Sequence, residues 1–173
     1  NQGGHDLDQT HFMQKQLLYL FIGLSGFVAA ASLSPRLWQR YAGELLLLGA
    51  GLCILLSFLG LFLDGGIIIE TGGATRWFNL GLGSFQPAEL LKFGILLFTA
   101  SFLGRKIAQG RVNSVSDTLV PLGSIVALGV LLIIVFQKDM GTGITLLGMM
   151  VAMLVVAGVR LKYLLLALLG TVG

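Results

Sequence analysis

The sequence predicts an all-α polytopic membrane protein, and three observations carry this prediction. Of its 173 residues, 55% are hydrophobic and only 11% are charged, whereas soluble domains carry about 25% charged residues. The mean hydropathy is +0.91, so a soluble fold would leave much apolar surface in water. The apolar residues form continuous runs without the alternation of barrel strands, and these runs approach the roughly 20 residues that cross a bilayer.

The apolar runs define the predicted elements in order along a single transmembrane domain, residues 1–173. Five helices are predicted, at residues 17–33, 45–63, 88–103, 119–136 and 144–159. A sixth, at 161–173, is predicted to be truncated, and the longest internal loop spans 64–86. Because the chain starts with Asn1 on polar sequence and stops at Gly173 inside an apolar run, we expect it to be a piece of a longer protein.

The basic residues predict which loops face the cytoplasm. Cytoplasmic loops of membrane proteins carry an excess of Lys and Arg. Lys92 lies inside a predicted helix and is not counted. Of the other cations, seven lie in one set of alternate loops and three in the other set. The seven are Arg36, Arg40, Arg105, Lys106, Arg111, Arg160 and Lys162. We therefore predict that segments 1–16, 64–86 and 137–142 are extracytoplasmic.

Small residues recur four positions apart, a spacing that suits close contacts between helices in lipid. The pairs are Gly26 and Ala30, Ala100 and Gly104, and Gly123 and Ala127. In a chain with 25 glycines this spacing is a weak predictor of helix contacts.

Several function classes are disfavoured by the same residues. The cations lie in short loops and form no continuous face, so nucleic-acid binding is not predicted. Cys53 stands alone in an apolar run and is interpreted as a small core residue. His5 and His11, with Asp6 and Asp8 nearby, match no metal-ligand spacing, so no metal site is predicted. No cofactor signature is evident.

The start of the third predicted helix carries a carboxylate and an ammonium. Pro87 suits the first helical position, and Glu89 then lies in the first turn, where the helix dipole favours a negative charge. Lys92 follows three residues later on the same face. Charges within membrane helices mark functional sites by default, but an ion pair that only holds helices together remains an alternative.

A second polar stretch, residues 136–147, carries Asp139 at the predicted outer start of the next helix. Asp139 or Thr142 would serve as an N-cap there. The alternative is that Asp139, Glu89 and Arg76 line one polar pocket at the outer face. Trp77, beside Arg76, is either an anchor in the headgroup layer or a wall for a lipid-linked substrate.

Two motifs resemble the signature of the SEDS family, the membrane glycosyltransferases of cell shape, division and sporulation. "GATRWFNLGLGSFQPAELLKF" resembles the first motif, with matching residues Gly73, Ala74, Arg76, Trp77, Gln86, Pro87, Ala88, Glu89 and Lys92. Residues 137–142 resemble the second motif, Q-P-D-x-G-T, except that Lys138 replaces the proline. The chain resembles the division-type, FtsW-like branch more than the RodA-like branch.

The resemblance implies a ten-helix fold in the bacterial inner membrane and polymerisation of lipid-linked disaccharide-pentapeptide into peptidoglycan. It implies a class B penicillin-binding transpeptidase as partner, besides membrane lipids, and a catalytic Asp beyond Gly173, so no catalytic residue within this chain. The pocket residues would be Arg76, Trp77, Gln86, Glu89, Lys92 and Asp139. We expect Arg76 and Lys92 to stabilise diphosphate charge, Glu89 to hold Lys92, and Asp139 to orient a base or bind a divalent cation.

Three other functions stay open at this point. A flippase for the lipid-linked precursor would use much the same pocket. A scaffold for the transpeptidase would tolerate changes at Glu89, Lys92 and Arg76. An ion-coupled transporter is disfavoured, because such folds show internal repeats and helices broken near the midplane, whereas these charges lie at the outer edge.

Overall fold

The structure is a computed structural model that describes residues 3–60, 62, 68–70, 75–79, 83–160 and 162–163. Within these ranges, the side chains of residues 3–12, 70 and 75 are not described. The chain divides into two units, residues 1–38 and 39–173. The predicted sixth helix, 161–173, lies outside the described residues apart from Lys162 and Tyr163.

Helices dominate both units, which confirms the all-α class. Helix α1 covers Gly3–Ser32, α2 Pro35–Leu59, α3 Pro87–Ala108, α4 Val120–Leu131 and α5 Met140–Val156. Helix α4 continues at both ends into π-helical segments, which we call π1 (Val115–Leu119) and π2 (Leu132–Phe136). Together, π1, α4 and π2 form one continuous helical span, Val115–Phe136.

Four helical spans in the described residues are long and apolar enough to cross a membrane, namely Met13–Ser32, Pro35–Leu59, Pro87–Ala108 and Val115–Phe136. The sequence predicted about five complete spans. The fifth helix, α5, has only 17 residues, the lower limit for a spanning helix. It ends early because Gly158 adopts φ +77°, a left-handed conformation that terminates a helix.

The first two helices start earlier than the apolar runs predicted. Helix α1 begins at Gly3 rather than at residue 17, and α2 begins at Pro35 rather than at residue 45. Hydropathy marks the part of a helix that lies in lipid, whereas the backbone continues helically through adjoining polar residues. Pro35 is favourable at a first helical position because its missing N–H has no helical partner there.

The predicted outer loop, 64–86, contains a small antiparallel sheet that the sequence analysis did not anticipate. Its strands are β1 (Ile68–Glu70), β2 (Thr75–Asn79) and β3 (Ser84–Phe85), in the order β1-β2-β3. Ile69 pairs with Trp77, and Phe78 pairs with Phe85. The sheet leads through Gln86 directly into α3, so it sets the position of Arg76 relative to that helix.

Helices α2 and α3 cross where each contributes a glycine. A Cβ on Gly49 would lie 2.7 Å from the Cα of Leu91, and a Cβ on Gly94 would lie 2.7 Å from the Cα of Leu46. The two backbones therefore touch, which only glycine permits. The predicted small-residue pairs do not mark such contacts, since a Cβ on Gly26, Gly104 or Gly123 would meet nothing within 4 Å among the described residues.

The buried core of the second unit lies between α2, α3, the α4 span and α5. Cys53 is one of its members, buried and free, as interpreted from the sequence. Further members are Leu91 and Ile95 of α3, Leu132 and Ile133 of π2, and Leu146 and Met150 of α5. This core packs α2, α3, the α4 span and α5 together.

We expect Gly94→Ala to lower the thermal stability of the full-length protein by an amount equivalent to about 1–3 kcal/mol, the usual cost of overpacking. The added methyl group would push α2 and α3 apart at their contact. Gly51→Ala is the matched control, because a Cβ on Gly51 meets nothing within 4 Å. Thermal unfolding in detergent measures both variants, and equal stability of the two would contradict the close crossing.

Candidate functional site

Arg76 joins strand β2 to the turn between π2 and α5. Its Nε donates to the Gln137 carbonyl oxygen at 3.3 Å, and its second terminal nitrogen donates to the Lys138 carbonyl oxygen at 2.6 Å. Lys138 has φ +51°. Proline cannot adopt this angle, so the replacement of the family's proline by Lys138 permits this turn.

Asp139 caps α5 and accepts three hydrogen bonds. Its Oδ1 accepts from the Thr142 backbone N–H at 3.1 Å, and its Oδ2 accepts from the Thr142 hydroxyl at 2.8 Å. The Gln86 amide donates to the same Oδ2 at 2.9 Å. Partial burial acts to raise the pKa of Asp139, but the hydrogen bonds from Thr142, the charge of Arg76 and the Gln86 amide together lower it below its usual value.

These contacts form one connected group, which we call the outer latch: Arg76, Gln86, Gln137, Lys138, Asp139 and Thr142. The latch ties the sheet and the start of α3 to the start of α5. Its two halves come from the two sequence motifs, and Gln86 and Asp139 are 53 residues apart in the chain. The sequence-predicted residues Arg76, Gln86 and Asp139 are therefore brought together.

Glu89 and Lys92 form an ion pair on α3. The Lys92 Nζ lies 2.8 Å from Glu89 Oε1, and the Lys92 side chain is 14% exposed whereas that of Glu89 is 57% exposed. Among the described residues, neither forms another ion pair or a side-chain hydrogen bond. Gln86, Glu89 and Lys92 are spaced three apart, so they follow one side of the first turns of α3.

The six predicted residues thus form two adjacent groups rather than one cluster. The outer latch contains Arg76, Gln86 and Asp139, and the ion pair contains Glu89 and Lys92. Gln86 connects them, since it immediately precedes α3 and its carbonyl oxygen accepts from the Glu89 backbone N–H at 3.2 Å. Trp77 is partly buried in β2, and its side chain points to the face of the sheet opposite to Arg76, because neighbouring strand residues alternate.

Gln137 and Thr142 belong to the site but were absent from the predicted pocket, although both lie in the second motif. Gln137 is 0% exposed, and among the described residues its side-chain nitrogen and oxygen have no hydrogen-bond partner. The Cys53 thiol faces this amide. A buried amide without a partner destabilises the folded state by about 1–3 kcal/mol, so Gln137 occupies this position at a cost to stability.

The described side chains include no cluster of metal-ligand residues. Among them, no three His, Cys, Asp or Glu residues lie close enough together to hold a metal ion. Both Asp139 oxygens already accept N–H or O–H donors, which leaves that carboxylate engaged in the latch. The side chains of His5, Asp6, Asp8 and His11 lie outside the described residues.

Comparison with known proteins identifies relatives across nearly the whole chain. A model of the FtsW/RodA/SpoVE family, described as cell cycle proteins, matches residues 3–173. The chain is 32% identical to a probable peptidoglycan glycosyltransferase FtsW of Nitrosococcus halophilus, over 93% of this chain and 39% of the relative. It is 35% identical to the protein of the same name from Escherichia coli O6:H1, over 89% of this chain and 34% of the relative.

Solved structures give the same grouping. The crystal structure of the rod shape determining protein RodA of Thermus thermophilus superposes with a TM-score of 0.68 at 30% identity, over 91% of this chain and 48% of that chain. A second structure is described as the structural coordination of polymerization and crosslinking by a peptidoglycan synthase complex. It superposes with a TM-score of 0.66 at 31% identity, over 92% of this chain and 43% of that chain. The chain therefore spans less than half of each of these relatives.

Proposed function

Because this chain belongs to the FtsW/RodA/SpoVE family of cell cycle proteins, we propose that it acts in polymerising peptidoglycan strands from lipid-linked disaccharide-pentapeptide. The observation that carries the proposal is the Glu89–Lys92 pair. A lysine whose side chain is only 14% exposed is held by one carboxylate at 2.8 Å, next to the outer latch. A partly buried ammonium at this place is suited to the negative charge of a diphosphate.

In the proposed reaction, the hydroxyl oxygen of the acceptor sugar attacks the anomeric carbon of the growing strand. The bond from that carbon to the diphosphate oxygen breaks, undecaprenyl diphosphate leaves, and the hydroxyl proton passes to a base. From the family resemblance, we expect this base to be an Asp beyond Gly173. The proposed role of the residues in this chain is to bind and stabilise the leaving diphosphate, whose negative charge grows as the bond breaks.

Lys92 and Arg76 are the proposed diphosphate-binding cations. An ammonium has three N–H donors, and Glu89 takes one of those of Lys92, so further donors remain for phosphate oxygens. A guanidinium has five donors, and the two contacts from Arg76 to backbone carbonyls leave others available. Asp139 acts through the latch: it holds Gln86 at the start of α3 and fixes the turn that Arg76 contacts.

The proposed location is the bacterial inner membrane, with the latch and the ion pair on its outer side. The alternation of cations in the loops supports this orientation. A class B penicillin-binding transpeptidase is the proposed partner, since a related structure is described as a peptidoglycan synthase complex that coordinates polymerization and crosslinking. Membrane lipids surround the apolar helices.

Polymer formation tests the proposal directly. The full-length protein, purified with its transpeptidase partner, is given labelled lipid-linked disaccharide-pentapeptide, and the products are separated by length. We expect long glycan strands that lysozyme digests. If no polymer forms but the labelled lipid crosses the membrane of reconstituted vesicles, the protein is a flippase. If neither occurs and the partner's crosslinking activity still depends on the protein, it is a scaffold.

A further inference from the structure

A second feature lies at the opposite end of the second unit, where α3 and α5 leave a groove between them. The groove has a volume of about 360 Å³, within the range of roughly 300–1,000 Å³ typical of small-molecule pockets. Residues from the last two turns of α3 and the end of α5 line it, among them Ala100, Gly104, Ile107, Ala152, Val156 and Ala157.

The residues that line the groove are apolar, and half of them are small. A Cβ on Gly104 would meet nothing within 4 Å, and Ala100 and Ala152 add only methyl groups. Val156, at the rim, is 89% exposed and Ile107 is 49% exposed. Among the described residues, no charged side chain lines the groove, so its chemistry suits a hydrocarbon chain.

Cations follow the groove in both chain segments: Arg105 lies in the last turn of α3, and Arg160 lies beyond the end of α5. Arg105 comes directly after Gly104, and Arg160 lies three residues beyond Ala157. The backbone N–H of Arg160 donates to the Asn113 side-chain oxygen at 2.8 Å, which holds Arg160 against the loop that follows α3. The segments that follow α3 and α5 therefore meet at this end of the groove, which brings the chain positions of Arg105 and Arg160 to the same end.

Neither of these arginines is neutralised by a neighbouring acid. Both are exposed, and among the described residues neither forms an ion pair. Asp117, the acid in the neighbouring segment π1, is paired with Arg111 at 3.5 Å. Lys106 has its Nζ 5.3 Å from the centre of the Phe102 ring. Two unneutralised guanidinium groups thus lie where an apolar slot reaches the membrane surface.

We propose that this groove binds an anionic phospholipid, with one acyl chain along Ala100 and Gly104 and the phosphate between Arg105 and Arg160. Basic pockets between membrane helices on the cytoplasmic side bind anionic headgroups, and the loop charges predict that this end is cytoplasmic. Guanidinium groups bind phosphate oxygens through paired N–H donors. The site is separate from the outer latch and does not depend on the proposed polymerase activity.

Binding of defined lipids to the purified full-length protein tests the proposal. Delipidated protein in detergent is mixed with phosphatidylglycerol or with phosphatidylcholine of the same acyl chains, and bound lipid is counted by native mass spectrometry. We expect preferential binding of one phosphatidylglycerol. The double variant Arg105→Gln, Arg160→Gln should weaken this binding about 30-fold, which corresponds to about 1 kcal/mol for each basic residue.

The matched control is Arg36→Gln with Arg40→Gln, which removes the same charge near the start of α2, a helix that contributes no residue to the groove. This control should keep the wild-type affinity for phosphatidylglycerol. Gly104→Leu should weaken binding by filling the slot, with the charges intact. Equal binding of the two lipids, or equal losses in the Arg105/Arg160 and Arg36/Arg40 variants, would overturn the proposal.

A spin label shows what covers the groove in a membrane. Gly104→Cys introduces a reactive thiol where there is open space, while the native Cys53 is buried. A nitroxide at position 104 should be highly accessible to oxygen dissolved in the bilayer and should be broadened by spin-labelled phosphatidylglycerol. Low oxygen accessibility would mean that another protein segment fills the groove, which would also overturn the proposal.

Discussion

Replacing Lys92 by alanine is expected to reduce glycan-strand formation about 100-fold or more while the protein still folds. Removing one preorganised group that stabilises developing charge costs about 10²–10³ in rate. The loss should appear mainly in the turnover rate at saturating substrate, because the diphosphate carries most charge as its bond breaks. Initial rates with labelled lipid-linked precursor measure it, and thermal unfolding verifies the fold.

An exchange of the two charges separates the catalytic role from a helix-pinning role. The double variant Glu89→Lys, Lys92→Glu keeps an ion pair at the same spacing on α3 but moves the cation one turn closer to Gln86. If the pair only stabilises the fold, this variant should regain both stability and polymerisation. We expect it to regain stability and stay inactive, because the cation no longer lies where the diphosphate binds.

A second ion pair provides the matched control for these variants. Arg111 and Asp117 are 3.5 Å apart on the opposite, predicted cytoplasmic side, and exposed pairs contribute little to stability. Arg111→Ala should therefore leave polymerisation unchanged. Full activity in Lys92→Ala, under conditions where wild-type polymer is abundant, would refute the proposed role of Lys92.

Replacing Asp139 by asparagine is expected to open the outer latch. The asparagine oxygen still caps α5, but its amide nitrogen would face the Gln86 nitrogen, which donates to Oδ2 at 2.9 Å in the wild type. Two donors then oppose each other, and a charge-assisted hydrogen bond worth about 1.5–3 kcal/mol is lost. We expect a lower unfolding temperature together with roughly tenfold slower polymerisation, because Gln86 and the turn contacted by Arg76 lose their common anchor.

The pH dependence of stability gives this variant an independent signature. The pKa of Asp139 is lowered from 3.8 by its hydrogen bonds and by Arg76, so its stabilising contribution is fully present above that pH. The contribution is lost as the pH falls below 3.8 through the folded-state pKa. The gap in unfolding temperature between wild type and Asp139→Asn should therefore be largest near neutral pH and shrink in acid.

The conservative control for the latch is Gln86→Leu, which removes the donor without adding an opposing one. This change should lower activity in the same direction as Asp139→Asn but should retain the acid dependence of stability, since Asp139 stays ionisable. If Asp139→Asn abolished polymerisation with an unchanged unfolding temperature, Asp139 would contact the substrate itself and its assignment as a positioning residue would be wrong.

Local sequence properties predicted the class of this protein and singled out most residues of its candidate site. Hydropathy over about 20 residues identifies helices that lie in lipid, and the two motifs single out Arg76, Gln86, Glu89, Lys92 and Asp139. The Glu89–Lys92 contact was predictable as well, because a spacing of three places both side chains on one face of a helix.

The tertiary structure alone decided which of these residues meet. The bond from Gln86 to Asp139 joins positions 53 apart, and nothing in the local pattern of either motif specifies it. The same holds for the crossing at Gly49 and Gly94, which spacing rules missed because four-residue repeats of small residues also occur on faces that contact nothing. The sequence analysis missed the sheet of β1–β3 for a related reason. Short strands in a Gly-rich segment have little periodicity, and only pairing with neighbours stabilises them.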